Sequence, residues 1–159
     1  MSIQVGTDSY LSVAEADEFH QRMNNPNWDI KTTAEKETAL VKATIFMEQS
    51  YQGRLKGNLL DSSQPLNWPR SGVEDLEGRI VLTTPKEVKD SVALLALKSF
   101  EEELLPDLEP GGALQSFKLG PLEKKYFPKS DPRHRFSQIE GLMRRFLNPL
   151  SSNRKLVRC

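Results

Sequence analysis

The chain has 159 residues and a mass of 18.1 kDa, with 37% hydrophobic and 28% charged residues. That is one soluble domain's worth: too apolar for a disordered chain, and its longest apolar run, Val92 to Leu97, is far short of the roughly 20 residues of a membrane span. The 22 basic and 22 acidic residues cancel overall, but seven bases against one acid leave about +6 on residues 133–159 and about −6 on the rest.

The N-terminus has no basic stretch followed by an apolar one, so no secretory signal is expected. Cys159 is the single cysteine, which excludes an intrachain disulfide and fits a reducing compartment. The basic C-terminal segment reads either as a tail for an acidic partner, nucleic acid or protein, or as a solvated end.

In chain order, a first helix is predicted over 11–23. Ser12 and Glu15 have capping-box spacing, and Val13, Ala16, Phe19 and Met23 recur at helical intervals. Pro26 stops it, and Trp28 falls in the following loop as a core plug. A second helix is predicted over 33–52. Thr32 and Glu35 repeat the box, and Leu40, Ala43, Thr44, Met47 and Tyr51 make a face that Val41, Ile45 and Phe46 widen. So wide a stripe predicts burial on more than one side.

Residues 53–83 lack a helical period and carry several glycines and prolines. A connection this long is uncommon unless it has a function. Residues 79–83 are its best strand candidate. A third helix is predicted over 85–105, with Thr84 as cap, Pro85 at the first position and Glu87 completing a box. Residues 114–127 predict a hairpin about Gly120-Pro121, which must lean on helices or on another chain. The last helix is predicted over 133–148, with Ile139, Leu142, Met143, Phe146 and Leu147 as its stripe and Pro149 as its stop. The fold class is mainly α: about four helices with a minor hairpin in 1–149, then a basic tail over 150–159.

Chemistry is sparse. His20 and His134 have no ligand-spaced companions, so neither a metal nor a cofactor is expected. Nucleophile-elbow and phosphate-loop motifs are absent, and no pair of carboxylates stands out, so no enzyme and no catalytic residue is expected. Phe136 and Phe146 among C-terminal bases match the pattern that holds single-stranded nucleic acid, although Phe146 also fits the apolar stripe.

Several short patterns occur together in order: Tyr10-Leu11-Ser12 before Glu15-Ala16-Asp17, then 39–44, then the loop 64–73 with Trp68-Pro69-Arg70 at its centre, then 85–89, then 116–122. Over roughly residues 8–148 the chain resembles the head-to-tail adaptor family of tailed bacteriophages, also called head-completion or neck-connector proteins. Members often carry the description of DnaT-like single-stranded-DNA-binding proteins. The resemblance implies a structural virion protein. Twelve copies would form a ring between the portal protein and the stopper or tail-terminator protein, extending a channel for double-stranded DNA. Such a protein is assembled in the host cytoplasm, sits in the neck of the virion and meets no membrane.

The resemblance also implies that the C-terminal segment reaches the portal. The residues expected to do so are Arg144, Arg145, Leu150, Arg154, Lys155, Leu156, Val157 and Arg158. Trp68 reads as a core plug or a binding group, and Arg70 as its companion or as an intersubunit donor. The alternatives are a single-stranded-DNA-binding accessory protein and a stand-alone, host-modifying helical protein.

Overall fold

The computed structural model describes residues 3–75, 77–105 and 136–148, and the backbone of 116–119 and 122–125. Helix α1 spans Val13–Arg22, α2 Pro26–Asp29, α3 Thr33–Tyr51, α4 Lys86–Lys98 and α5 Ser137–Met143. A 3-10 turn, Arg144–Phe146, continues α5. Strands β1 (Asn58–Leu59) and β2 (Arg70–Ser71) pair antiparallel within the long connection. Strands β3 (Ser116–Leu119) and β4 (Leu122–Lys125) form the expected hairpin, with Leu119 opposite Leu122. The protein is mainly α, as predicted.

Both early capping boxes are present. The Ser12 and Thr32 side chains accept from the amides of Glu15 and Glu35, whose carboxylates accept in return from the cap amides. Leu40, Ala43, Thr44, Met47 and Tyr51 of the predicted α3 face are buried, as is Phe46, whereas Val41 is half-buried and Ile45 exposed; α3 packs on α4, with α1 and α5 against that pair. Leu40, Val92, Leu95 and Ile139 are fully buried. Burial of each such side chain contributes about 1.5–3 kcal/mol.

Several boundaries differ from expectation. Trp28 is a core plug, at 0% exposure, but it lies in α2 rather than in a loop. Pro26 starts that turn, because a proline at the first helical position gives up an N–H that has no partner there anyway. Helix α4 begins one residue later than expected, capped by Pro85 without a side-chain bond. Glu87 makes no box. Its carboxylate instead accepts from Arg145 Nη1 at 2.8 Å, a charge-assisted bond.

Helix α4 also ends at Lys98, not 105. Glu101, Glu102 and Glu103 would oppose the helix dipole if the helix continued, while buried Leu104 pins the chain in its new direction. Residues 79–83 make no strand. Ile80 forms a single bridge to Glu74, and the Val81 amide donates to Val73 O. The last helix is shorter than expected, and its predicted start near Asp131-Pro132 lies outside the described residues.

One polar cluster sits inside this core. His20 is fully buried and stacks on Trp28 at 4.3 Å. Its Nε2 lies 3.1 Å from Ala93 O and its Nδ1 3.0 Å from the Asn25 amide nitrogen. A carbonyl can only accept and an amide NH2 can only donate, so His20 is the neutral tautomer protonated at Nε2. Burial lowers its pKa below the ordinary histidine value.

Candidate interaction surfaces

The Trp68-Pro69-Arg70 loop is built into the body. Trp68 is 3% exposed and meets Phe146 edge-on at 5.4 Å; the bond to Pro69 is cis. Tyr10 Oη donates to Glu48 Oε1 on α3 and accepts from the Trp68 amide at 3.3 Å. Glu48 Oε2 accepts from the Asn67 amide at 2.9 Å. Burial raises the Glu48 carboxyl above its ordinary value, and burial together with that neighbouring carboxylate raises the Tyr10 phenol. Glu48 thus ties α3, the segment before α1 and the loop together.

Arg70 spends its guanidinium on its own chain. Nε donates to Lys56 O at 2.8 Å, Nη2 to Gly57 O at 2.7 Å and Nη1 to Asn67 O at 3.3 Å. Three carbonyls of the connection are thereby satisfied by one cation. Gly57 has φ +69°, and a Cβ there would lie 2.2 Å from Ser71 O, so glycine is required. The plug reading of Trp68 and the within-chain reading of Arg70 are the ones the geometry supports.

The C-terminal element is sewn to the same connection. Lys56 donates its amide to Phe146 O and its Nζ to Arg145 O, and the Asn148 amide donates to Arg54 O at 2.8 Å. Of the residues expected to reach the portal, Arg145 is half-buried and paired with Glu87, whereas Arg144 is exposed. Leu150, Arg154, Lys155, Leu156, Val157 and Arg158 lie outside the described residues. The rings proposed for base stacking are not exposed. Phe146 is core, and Phe136 is 9% exposed, against Phe46 and under Lys98 Nζ.

Exposed apolar side chains lie elsewhere: Val5, Met23 and Ile30 around α1 and α2, and others in the segments before and after α4. Leu60, Ile80 and Leu82 of the connection that precedes the helix are 57%, 67% and 68% exposed. Beyond its C-terminus runs a groove of two adjoining clefts, about 400 and 330 Å3, that share Lys42, Ser99 and Phe100. Ile45 and Leu105 line it at 45% and 39% exposure, among exposed Glu101, Glu102 and Glu103. Sequence periodicity placed Ile45 in a widened buried face and gave no role to the three acids. The available signals were that Ile45 falls off the main α3 stripe and that the acids oppose a helix dipole. Among the described residues, no group of three or more His, Cys, Asp or Glu is placed to hold a metal ion, and no helix is long and apolar enough to cross a membrane.

The described body is thus a small helical domain whose long connection is held by Arg70, with Trp68 Nε1 and Arg54 Nε buried and unpaired among the described residues. A family model described as "Putative DnaT-like ssDNA binding protein" matches residues 2–159. The chain belongs to that family. No curated protein and no solved structure matches it.

Proposed function

We propose that the chain is a structural assembly protein, a neck adaptor of a tailed bacteriophage that joins a ring between the portal and the stopper or tail-terminator. The observations that carry this reading are exposed Ile80 and Leu82, four to six residues before α4, and the groove with Ile45 and Leu105 beyond its other end, the helix being about 20 Å long. Ring closure uses heterologous contacts, in which each copy offers one surface forward and a different one back. The expected copy number is twelve, and the basic C-terminal segment is the part expected to meet the portal.

Co-expression with the portal protein of the same genome tests it. Ring-shaped complexes visible by electron microscopy are expected. Complete absence of portal binding, with the chain also missing from purified particles by mass spectrometry, would sink the adaptor reading.

The family's description favours a second reading more directly than it favours the first: single-stranded-DNA binding. Seven bases in residues 133–159 supply the charge for it. Binding of a labelled oligonucleotide that weakens steeply with salt, without portal binding, would put this reading in place of the adaptor.

A further inference from the structure

We propose that the groove between the outer face of α3 and the turn after α4 is the docking site of this chain's own residues 150–159. This goes beyond the functional readings above: it describes the free chain, and the tail must leave the groove before that surface or those bases can meet the partner that either reading assigns.

The groove is a mismatch on an otherwise well-packed body. Phe46, Met47 and Leu104 are buried, while Ile45 and Leu105 beside them stay uncovered. Its described lining carries more acid than base. Glu35, Glu101 and Glu103 lie along it with Lys42, and Lys31 Nζ sits 4.9 Å over the ring of Phe100 at its edge. The C-terminal end of α4 adds its negative partial charge.

Residues 150–159 have the complementary chemistry: Leu150, Leu156 and Val157 with Arg154, Lys155 and Arg158, and no acid. Reach agrees. Asn148 is tied to Arg54, just past the end of α3, so the tail starts there. Ile45 and Lys42 lie roughly 9–14 Å back along the helix from Tyr51. Residues 154–158 follow Asn148 by six to ten positions, a reach of roughly 20–35 Å when extended.

Tethering decides between this occupant and a second copy. A short linker holds the tail at an effective concentration in the millimolar range, above that of any other chain in dilute solution. A weak basic-apolar contact therefore closes within the chain first.

The natural Cys159 makes the test direct. In the full chain, Lys42→Cys places a second thiol in the groove. Glu18→Cys, on α1 beside Lys86 and Asp90 near the start of α4, serves as the control. Mild oxidation is expected to link Cys159 to position 42 within one chain at least about tenfold faster than to position 18. Adding Glu101→Lys and Glu103→Lys should bring the rate at 42 down to the control. Equal rates at 42 and 18 would mean the tail has no preferred site and would overturn the proposal. Links at 42 that join isotopically heavy to light chains would assign the groove to a second copy's tail and overturn it as well. Neither readout involves a portal or an oligonucleotide, so its failure is separate from failure of the functional readings.

Discussion

The Trp68–Arg70 centre of the connection over 53–83 and the groove beyond α4 treat their side chains differently, while Leu60, Ile80 and Leu82 at the connection's margins are themselves exposed. Arg70 donates to three carbonyls of its own chain, and Trp68 is sealed against Phe146. In the groove, two large aliphatic side chains and three consecutive acids face outward from a helix end. The motif that is conspicuous in sequence is the one that holds the body together, and the stretch that looks ordinary is the one left uncovered among the described residues. Here the distinctive residues mark demanding local geometry, because a buried ring and a guanidinium holding three carbonyls each admit few substitutes.

The largest effect should come from the sealed side. Trp68→Ala removes a buried indole and is expected to cost about 3–5 kcal/mol in denaturant unfolding. Arg70→Ala strips donors from Lys56, Gly57 and Asn67 carbonyls and should cost about 2–4 kcal/mol, since charge-assisted bonds are worth about 1.5–3 kcal/mol each and water recovers part of the loss. Neither change should alter how the groove side behaves in cross-linking. Comparable stability of Arg70→Ala and the parent would mean that the guanidinium is not holding the connection.

Much of this body was legible in sequence, and the failures have causes. The Ser12 and Thr32 boxes are local, involving residues three apart, and both formed as read. The Thr84–Glu87 spacing looked equally local, but Glu87 found a partner 58 residues away in Arg145. A tertiary ion pair outweighed a local cap, and no window of sequence contains both residues. Pro26 carries two opposite signals, stop for the helix before and start for the helix after, and only the first was read. The groove was invisible because periodicity reports which residues share a face, not whether another element covers it. Ile45 lies on the flank of the α3 face where nothing described covers it.

A middle-sized effect is expected at His20. Its folded pKa is depressed, so the folded protein holds the neutral ring while the unfolded chain titrates near the ordinary value of 6.5. The unfolded state therefore binds more protons over that window. Stability is full above about pH 6.5 and declines as pH falls from there towards the folded pKa. One proton allows a slope of at most about 1.4 kcal/mol per pH unit. His20→Gln, which keeps an amide able to donate to Ala93 O, should be less stable at pH 7.5 but flatter between pH 7 and 5.5. An unchanged slope in that variant would assign the acid sensitivity to other groups. Asp17 is the nearest candidate: Trp28 and Lys36 hydrogen bonds hold it below its ordinary value despite burial, so its loss falls at lower pH.

The smallest effect sharpens the comparison most. Ile45 is 45% exposed on the described body, so Ile45→Ala there removes a side chain that is half in water already. In a chain truncated after Asn148 the change should cost within about 0.5 kcal/mol, as surface substitutions do. In the full chain a docked tail would cover the isoleucine, and the same change should cost about 1 kcal/mol more, the value of burying the remaining aliphatic area at about 25 cal/mol per Å2. The four proteins form a double-mutant cycle whose coupling term isolates the tail–Ile45 contact from everything either change does alone. Trp68 supplies the contrast within the same cycle: truncation should leave the cost of Trp68→Ala unchanged, because Phe146 and Tyr10, which hold it, both precede the cut. Coupling at Ile45 with none at Trp68 separates an open surface from a sealed one by energy alone. Coupling at neither would leave the groove without its tail.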